Sequence, residues 1–174
     1  MKIKNLYFSP VKSLSFNNVD NLEIIKNIGI KNDRIFAFTN NLNFKDIELI
    51  KNNPLKREIY KFLSLKKYPE LNQYNFLLED NLLILEFENK IILKTDIDNQ
   101  HEVKILCNKL EDILPNINNI NLLKDNMNPF FDTMPNKSIS LINLNSIKDF
   151  ESITNHKIEH QRFRANIYLS LIHI

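Results

Sequence analysis

The sequence predicts a β-rich α+β protein, and three observations carry that expectation. Short apolar runs separated by polar turn dipeptides recur from residue 2 to residue 93, the pattern of short strands. One stretch, residues 99–114, switches to helical period. A further strand-then-helix pattern follows residue 138, closing on a strand. The strand count together with two helices suggests a β-barrel-rich α+β protein.

Each element has its own signal. Residues 2–9 form a strand stopped by Pro10. Residues 22–28 form a second, with Gly29 to Asn32 as its turn. Asp33 to Thr39 is a third, where Ile35, Phe36 and Phe38 favour β structure. Residues 40–60 are polar and read as a loop with a short helix. Phe76-Leu77-Leu78, Leu82 to Phe87 and Ile91 to Leu93 alternate with Glu79-Asp80-Asn81 and Glu88-Asn89-Lys90, a β-meander with tight turns.

In residues 99–114, Val103, Leu106, Leu110 and Ile113 recur at helical spacing. Asn99 with Glu102 reads as a capping box and Pro115 as the stop. The Asn-rich residues 116–128 read as a linker, dividing the chain into residues 1–120 and 121–174. Ser138 to Ile142 is a strand. Leu144, Ile147, Phe150 and Ile153 mark a helix, with Ser146 and Asp149 as its expected capping box. Residues 162–171 alternate, with Arg162, Arg164 and Asn166 on one face and Phe163, Ala165 and Ile167 on the other.

Composition narrows the function classes. Lys+Arg 23 against Asp+Glu 21 leaves a net charge of +2, too small to attract nucleic acid or a membrane surface as a whole. An anion site must therefore be local. The lone Cys107 excludes an intrachain disulfide and suits a reducing compartment. The N-terminus lacks the apolar core of a signal peptide, and no apolar run is long enough to span a bilayer. A cytoplasmic protein is expected. Glycine occurs once, at Gly29, so Asn pairs such as Asn17-Asn18, Asn40-Asn41 and Asn52-Asn53 are expected to supply the positive-φ turns.

Three stretches bring Lys, Arg, Ser or Asn to the ends of strand-like runs: Ser9 to Leu14, Gly29 to Arg34, and Arg162 to Ile167. Lys12 and Ser13 supply a point charge and a neutral donor, a natural pair for phosphate oxygens; taken alone, a solvated turn is the plainer reading of them. Arg34 can grip an anion through two parallel N–H donors, or pair with Asp33. Asn145 and Ser146 stand at a helix start, which favours anions and also ordinary capping. Arg162, Arg164 and Asn166 share a face that either holds an anion or meets solvent. His156 and His160 lack evident ligand partners, and Cys107 reads as a buried structural thiol. There is no Walker A loop, no Gly-rich dinucleotide loop and no nucleophile elbow.

Taken together, the stretches resemble the MOSC family, named after the molybdenum cofactor sulfurase C-terminal domain. Pro10-Val11-Lys12-Ser13 is similar to a P-[VI]-K-S signature, and Gly29 to Arg34 to a G-[LI]-x-x-D-R signature. Residues 138–167, through Ser146 and Arg162-Phe163-Arg164-Ala165-Asn166-Ile167, resemble the start of the MOSC domain. The resemblance implies a MOSC N-terminal β-barrel domain over 1–120, the truncated start of a MOSC β-barrel over 121–174, and a bound molybdenum cofactor (molybdopterin). The site residues it implies are Lys12, Ser13, Arg34, Asn145, Ser146, Arg164 and Asn166.

In the amidoxime-reducing branch it further implies reduction of N-hydroxylated substrates with an electron-donor protein. Elsewhere it implies a sulfur carrier served by a pyridoxal-phosphate desulfurase. Ala165 stands where the family has proline, and the family's cysteine role does not transfer to Cys107. The chain is therefore expected to be inactive by itself. Two other classes are open: a non-catalytic binding module for a phosphorylated small molecule or protein partner, and a small nucleic-acid-binding barrel, which the near-neutral charge disfavours.

Overall fold

Asparagine sets the turns that break this chain into short elements. In the computed structural model, which describes residues 2–57, 61–114, 116–131 and 138–170, thirteen non-glycine residues have positive φ, and seven of them are Asn. Asn41 is among them, whereas Asn17 and Asn18 lie in a strand and Asn53 has φ −128°. Asp80 and Glu88, beside Asn89, occupy the two tight turns of the meander. That leaves Ser13, Ser15, Arg34 and Arg164, whose conformation costs an L-residue about 1–2 kcal/mol.

The elements in chain order are β1 (Lys2–Phe8), β2 (Asn17–Val19), β3 (Ile24–Ile25), β4 (Gly29–Ile30), β5 (Phe36–Thr39) and helix α1 (Phe44–Asn52). The meander β6 (Tyr74–Glu79), β7 (Leu82–Phe87) and β8 (Lys90–Asp96) follows, then α2 (Gln100–Ile113), β9 (Asn121–Lys124), β10 (Leu141–Asn143), α3 (Leu144–Thr154) and β11 (Ile167–Ser170). Short 3-10 turns cover Pro54–Lys56, Pro69–Gln73 and His160–Phe163. The fold is mixed α+β, as expected. The strands divide among four small sheets, and none of them closes into a barrel among the described residues.

Two compact units interleave along the chain. One gathers residues 2–8, 16–31 and 138–170; the other gathers residues 9–15 and the described part of 32–131. The division in space is thus not a cut at residue 120, because the first unit takes residues from both sides of that position.

In the first unit the sheet order is β10-β11-β1-β2. β1 pairs antiparallel with β11, Leu6 opposite Ile167, and with β2, Leu6 opposite Val19. β10 runs parallel to β11, Leu141 opposite Ile167. Parallel neighbours need a crossover, and α3 supplies it. Its Ile147 is buried with Tyr7, Ala165 and Tyr168. Separately, β3 and β4 form a two-residue hairpin turned at Asn27, whose φ is 65°. Gly29 is not the turn: it opens β4 with φ 108°, a conformation L side chains rarely adopt.

The second unit is organised by β5, which is buried on both faces. Period two sends Phe36 and Phe38 to one core, with Leu83, Leu85, Leu106 and Leu110, and Ala37 to another, with Ile50, Phe62, Leu123 and Phe130. The meander β6-β7-β8 and α2 enclose the first core; α1 contributes Ile50 to the second. In α2, Asn99 Oδ1 accepts from His101 N and Glu102 N at 3.1 and 3.4 Å, while Glu102 Oε2 accepts from Asp96 N at 2.7 Å. The expected capping pair therefore forms, but Glu102 reaches back to the end of β8 rather than to the cap's own N–H.

Residues 116–128 are not a linker. β9 lies within them and pairs antiparallel with β5, Phe36 opposite Lys124 and Thr39 opposite Asn121. Ile117, Ile120 and Leu123 are buried, so the apolar residues hidden among the asparagines supply strand and core. Pro115, the expected helix stop, lies outside the described residues, as do the last three residues of the 40–60 stretch.

Candidate functional site

Lys12, Ser13 and Arg34 belong to the second unit. Here Ser9 and Asp33 hold the first two motif stretches side by side. Ser9 N donates to Asp33 Oδ1 at 2.8 Å, Arg34 N to Ser9 O at 2.5 Å, and Phe36 N to Pro10 O at 3.0 Å. Lys12 N returns a bond to Phe36 O at 2.7 Å, which makes Val11 and Phe36 a parallel bridge. The Ser9 hydroxyl is buried against the carbonyls of Val11 and Leu14.

The chain then turns tightly. Leu14 N donates to Val11 O at 3.2 Å across Lys12 and Ser13, and Ser13 has φ 61°. A turn with positive φ at its third residue ordinarily takes Gly or Asn there. The turn is not solvated as a surface loop would be: Lys12 is only 3% exposed. Its Nζ donates to Phe130 O at 3.2 Å and lies 5.6 Å from the Phe62 ring centroid. Ser13 is half-buried. Ser15, also left-handed, accepts from Phe76 N at 2.5 Å.

Arg34 pairs with Asp33 through Nη1, so the pairing expected as its plain structural role does form. Asp33 is 1% exposed, whereas the Arg34 side chain keeps 16% exposure and lies 5.3 Å from the Phe131 ring centroid. Lys12 and Arg34 therefore meet the same short segment, Phe130-Phe131, which is further tied by Phe130 N to Arg34 O at 2.8 Å. A charge resting on aromatic faces with little water nearby interacts strongly with any anion that reaches it.

Asn145, Ser146, Arg164 and Asn166 belong to the first unit. Asn145 and Ser146 do stand in the first turn of α3, but neither caps it. The cap is Asn143, whose Oδ1 accepts from Asn145 N at 3.2 Å. Ser146 is exposed and Asn145 half-buried. Arg162 and Arg164 precede the strand rather than lie in it, since β11 begins at Ile167. Arg162 sits in the 3-10 turn, and Arg164 ends that turn at φ 51° with its guanidinium 5.2 Å from the Phe16 ring centroid. The reason is Tyr168, whose hydroxyl accepts from Ala165 N at 3.1 Å and donates to His160 O at 2.7 Å. These bonds draw the backbone out of extended geometry. Burial pushes the Tyr168 phenol up, partly offset by the Ala165 N–H.

Asn166 is buried and bonds the scaffold. Nδ2 donates to Tyr7 O at 3.1 Å; Oδ1 accepts from Ser140 N and Ser140 Oγ at 3.2 and 2.9 Å. Its amide stitches β1 to the approach of β10. His160 stacks edge-on against Tyr168 at 4.8 Å and lies 3.4 Å from the Tyr7 hydroxyl.

Arg57 carries no motif and did not stand out in the sequence. Its side chain is 2% exposed. Nε donates to Ile50 O at 3.0 Å, Nη1 to Asn128 O at 2.5 Å and Nη2 to Asp125 Oδ2 at 2.5 Å, with the Phe130 ring centroid 4.2 Å away. No local pattern could have flagged it, because Asn128 and Asp125, which its fork meets, lie about 70 residues away in the chain.

Cys107 is buried on α2, and burial pushes its thiol up to about 11. Among the described residues no group of three or more His, Cys, Asp or Glu could hold a metal ion. Among the same residues no helix is long and apolar enough to cross a membrane. No protein-family model, no curated protein and no solved structure matches the chain.

Proposed function

We propose that the chain binds a phosphate-bearing cofactor, molybdopterin, in the manner of a MOSC-type protein. The observation that carries the reading is the joining of two distant motif stretches in the second unit. Ser9 to Ser15 and Asn32 to Arg34 are bonded directly, and Lys12 and Arg34 flank one aromatic segment. A second observation supports it. Apart from Asn and the meander turns, the positive-φ residues are Ser13, Ser15, Arg34 and Arg164, all at or next to the motif stretches. Strained backbone persists where function retains it.

The residues fit the phosphate end of such a cofactor and not a thiolate ligand to its metal. Within the second unit, the Arg34 guanidinium is held over Phe131, Lys12 adds a point charge, and Ser13 brings a neutral donor. The lone cysteine is buried with its thiol protonated at neutral pH, so no redox or sulfur-transfer step is assigned to the residues described. Reduction of N-hydroxylated substrates with an electron-donor protein, or sulfur carriage from a pyridoxal-phosphate desulfurase, remains the activity the MOSC resemblance suggests for such a holoprotein. A non-catalytic module for a phosphorylated small molecule is the competing reading.

Purification from a host that makes molybdopterin tests it. Bound pterin is read by fluorescence after oxidative release and molybdenum by mass spectrometry. The expected result is pterin carried by the wild-type chain and lost in Arg34→Gln. A folded wild-type chain with neither pterin nor molybdenum overturns the cofactor assignment. Phosphate affinity without pterin would favour the binding module.

A further inference from the structure

We infer that Arg57 is a positioning residue: it fixes the segment Asp125–Phe131 on which Lys12 and Arg34 are held. The inference concerns the second unit alone, and its link to ligand binding rests on the phosphate-site reading above.

Arg57 grips the segment at three points, through Asp125 Oδ2, Asn128 O and the face of Phe130, and anchors it to α1 through Ile50 O. Asp125 shapes the segment from within, its Oδ1 accepting from Met127 N at 3.0 Å and Asn128 N at 2.8 Å. The same carboxylate thus joins the turn to the guanidinium. Downstream of the clamp, Phe130 O receives Lys12 Nζ, Phe130 N bonds Arg34 O, and the Phe131 ring underlies the Arg34 guanidinium.

Two cations that the sequence offers separately therefore share one support, and Arg57 is the side chain that holds it from the other side. A fork of fixed geometry suits the task better than an ammonium, because it meets carboxylate, carbonyl and ring face at once. Buried as it is, Arg57 touches no ligand itself; its role is exerted through Phe130 and Phe131.

Acylation of lysines by acetic anhydride, read residue by residue by mass spectrometry, tests this directly, with exposed Lys4 and Lys45 as internal standards. Lys12 should label slowly in the wild-type chain and about tenfold faster in Arg57→Gln. In Ile50→Val, which thins the same core but keeps the Ile50 carbonyl that Arg57 bonds, its rate should stay at the wild-type level. Inorganic phosphate, titrated calorimetrically, should bind about tenfold more weakly to Arg57→Gln. If Arg57→Gln does not fold, Arg57→Lys carries the comparison: it keeps a charge beside Asp125 and loses the fork.

Equal Lys12 labelling in wild type and a folded Arg57 variant overturns the inference. So does Ile50→Val labelling as fast as Arg57→Gln, which would mean that any weakening of the core releases Lys12. Failure of the wild-type chain to bind phosphate would sink the phosphate-site reading and leave the labelling result to decide the role of Arg57.

Discussion

Ser13→Gly should stabilise the protein, although glycine substitutions ordinarily do the reverse. Ser13 sits at the third position of the Val11–Leu14 turn with φ 61°. Holding an L-residue there costs about 1–2 kcal/mol. Glycine removes that cost and gives back about 0.4–1 kcal/mol through the greater freedom of the unfolded chain. The difference favours the variant by about 0.5–1 kcal/mol, or roughly 1–4 °C in Tm for a chain of this size. The control is Lys104→Gly on the exposed face of α2, which should cost about 1 kcal/mol. Urea denaturation of the three proteins measures all of this. If Ser13→Gly falls by as much as Lys104→Gly, the turn is not strained, and the argument that function retains Ser13 against its backbone preference fails. If it rises while phosphate affinity drops, stability and binding are opposed at that residue.

Other outcomes follow from the same contacts. Asp33→Ala leaves the Ser9 N–H without its acceptor and the Arg34 guanidinium without its partner in a nearly dry site; a loss of about 2–4 kcal/mol in urea denaturation is expected. Asn166→Ala removes the amide that joins Tyr7 to Ser140, with about 2–3 kcal/mol lost and the earliest hydrogen-exchange opening at β1 and β11. Cys107 gives a pH signature: the native thiol keeps its proton until about pH 11, against an ordinary value of 9.0. Between those values the unfolded chain releases the proton first, so stability falls as pH rises, by about 2–3 kcal/mol in total. Cys107→Ala should lack that component when the two proteins are compared across pH 8–11.

Much of the fold was legible where the pattern was local. The period of Val103, Leu106 and Leu110 gave α2, the polar breaks at Asp80 and Glu88 gave the meander, and Pro10 gave the end of β1. What escaped depends on distant partners. β9 hides in an Asn-rich stretch because its stability comes from facing β5, some 80 residues earlier. The alternation of Arg162, Arg164 and Asn166 suggested a strand, yet the Tyr168 hydroxyl holds Ala165 N and His160 O and delays β11 to Ile167. Of the candidate site, the type of each motif residue was readable and its environment was not. Lys12 looked like a surface turn and is buried; Ser146 looked like a cap and stands in the first turn of α3, which Asn143 caps through Asn145 N.

The pairing of β1 with β11 bears on how the chain is made. Lys2–Phe8 is translated long before Ile167–Ser170, so β1 has only its β2 neighbour until β11 has emerged. The segments that build the β5 and α2 cores emerge by residue 131 and can set during translation, while the first strand waits with one edge open. Contacts of such long sequence separation form slowly, and a nascent chain with an unpaired strand is the form a holdase chaperone would recognise.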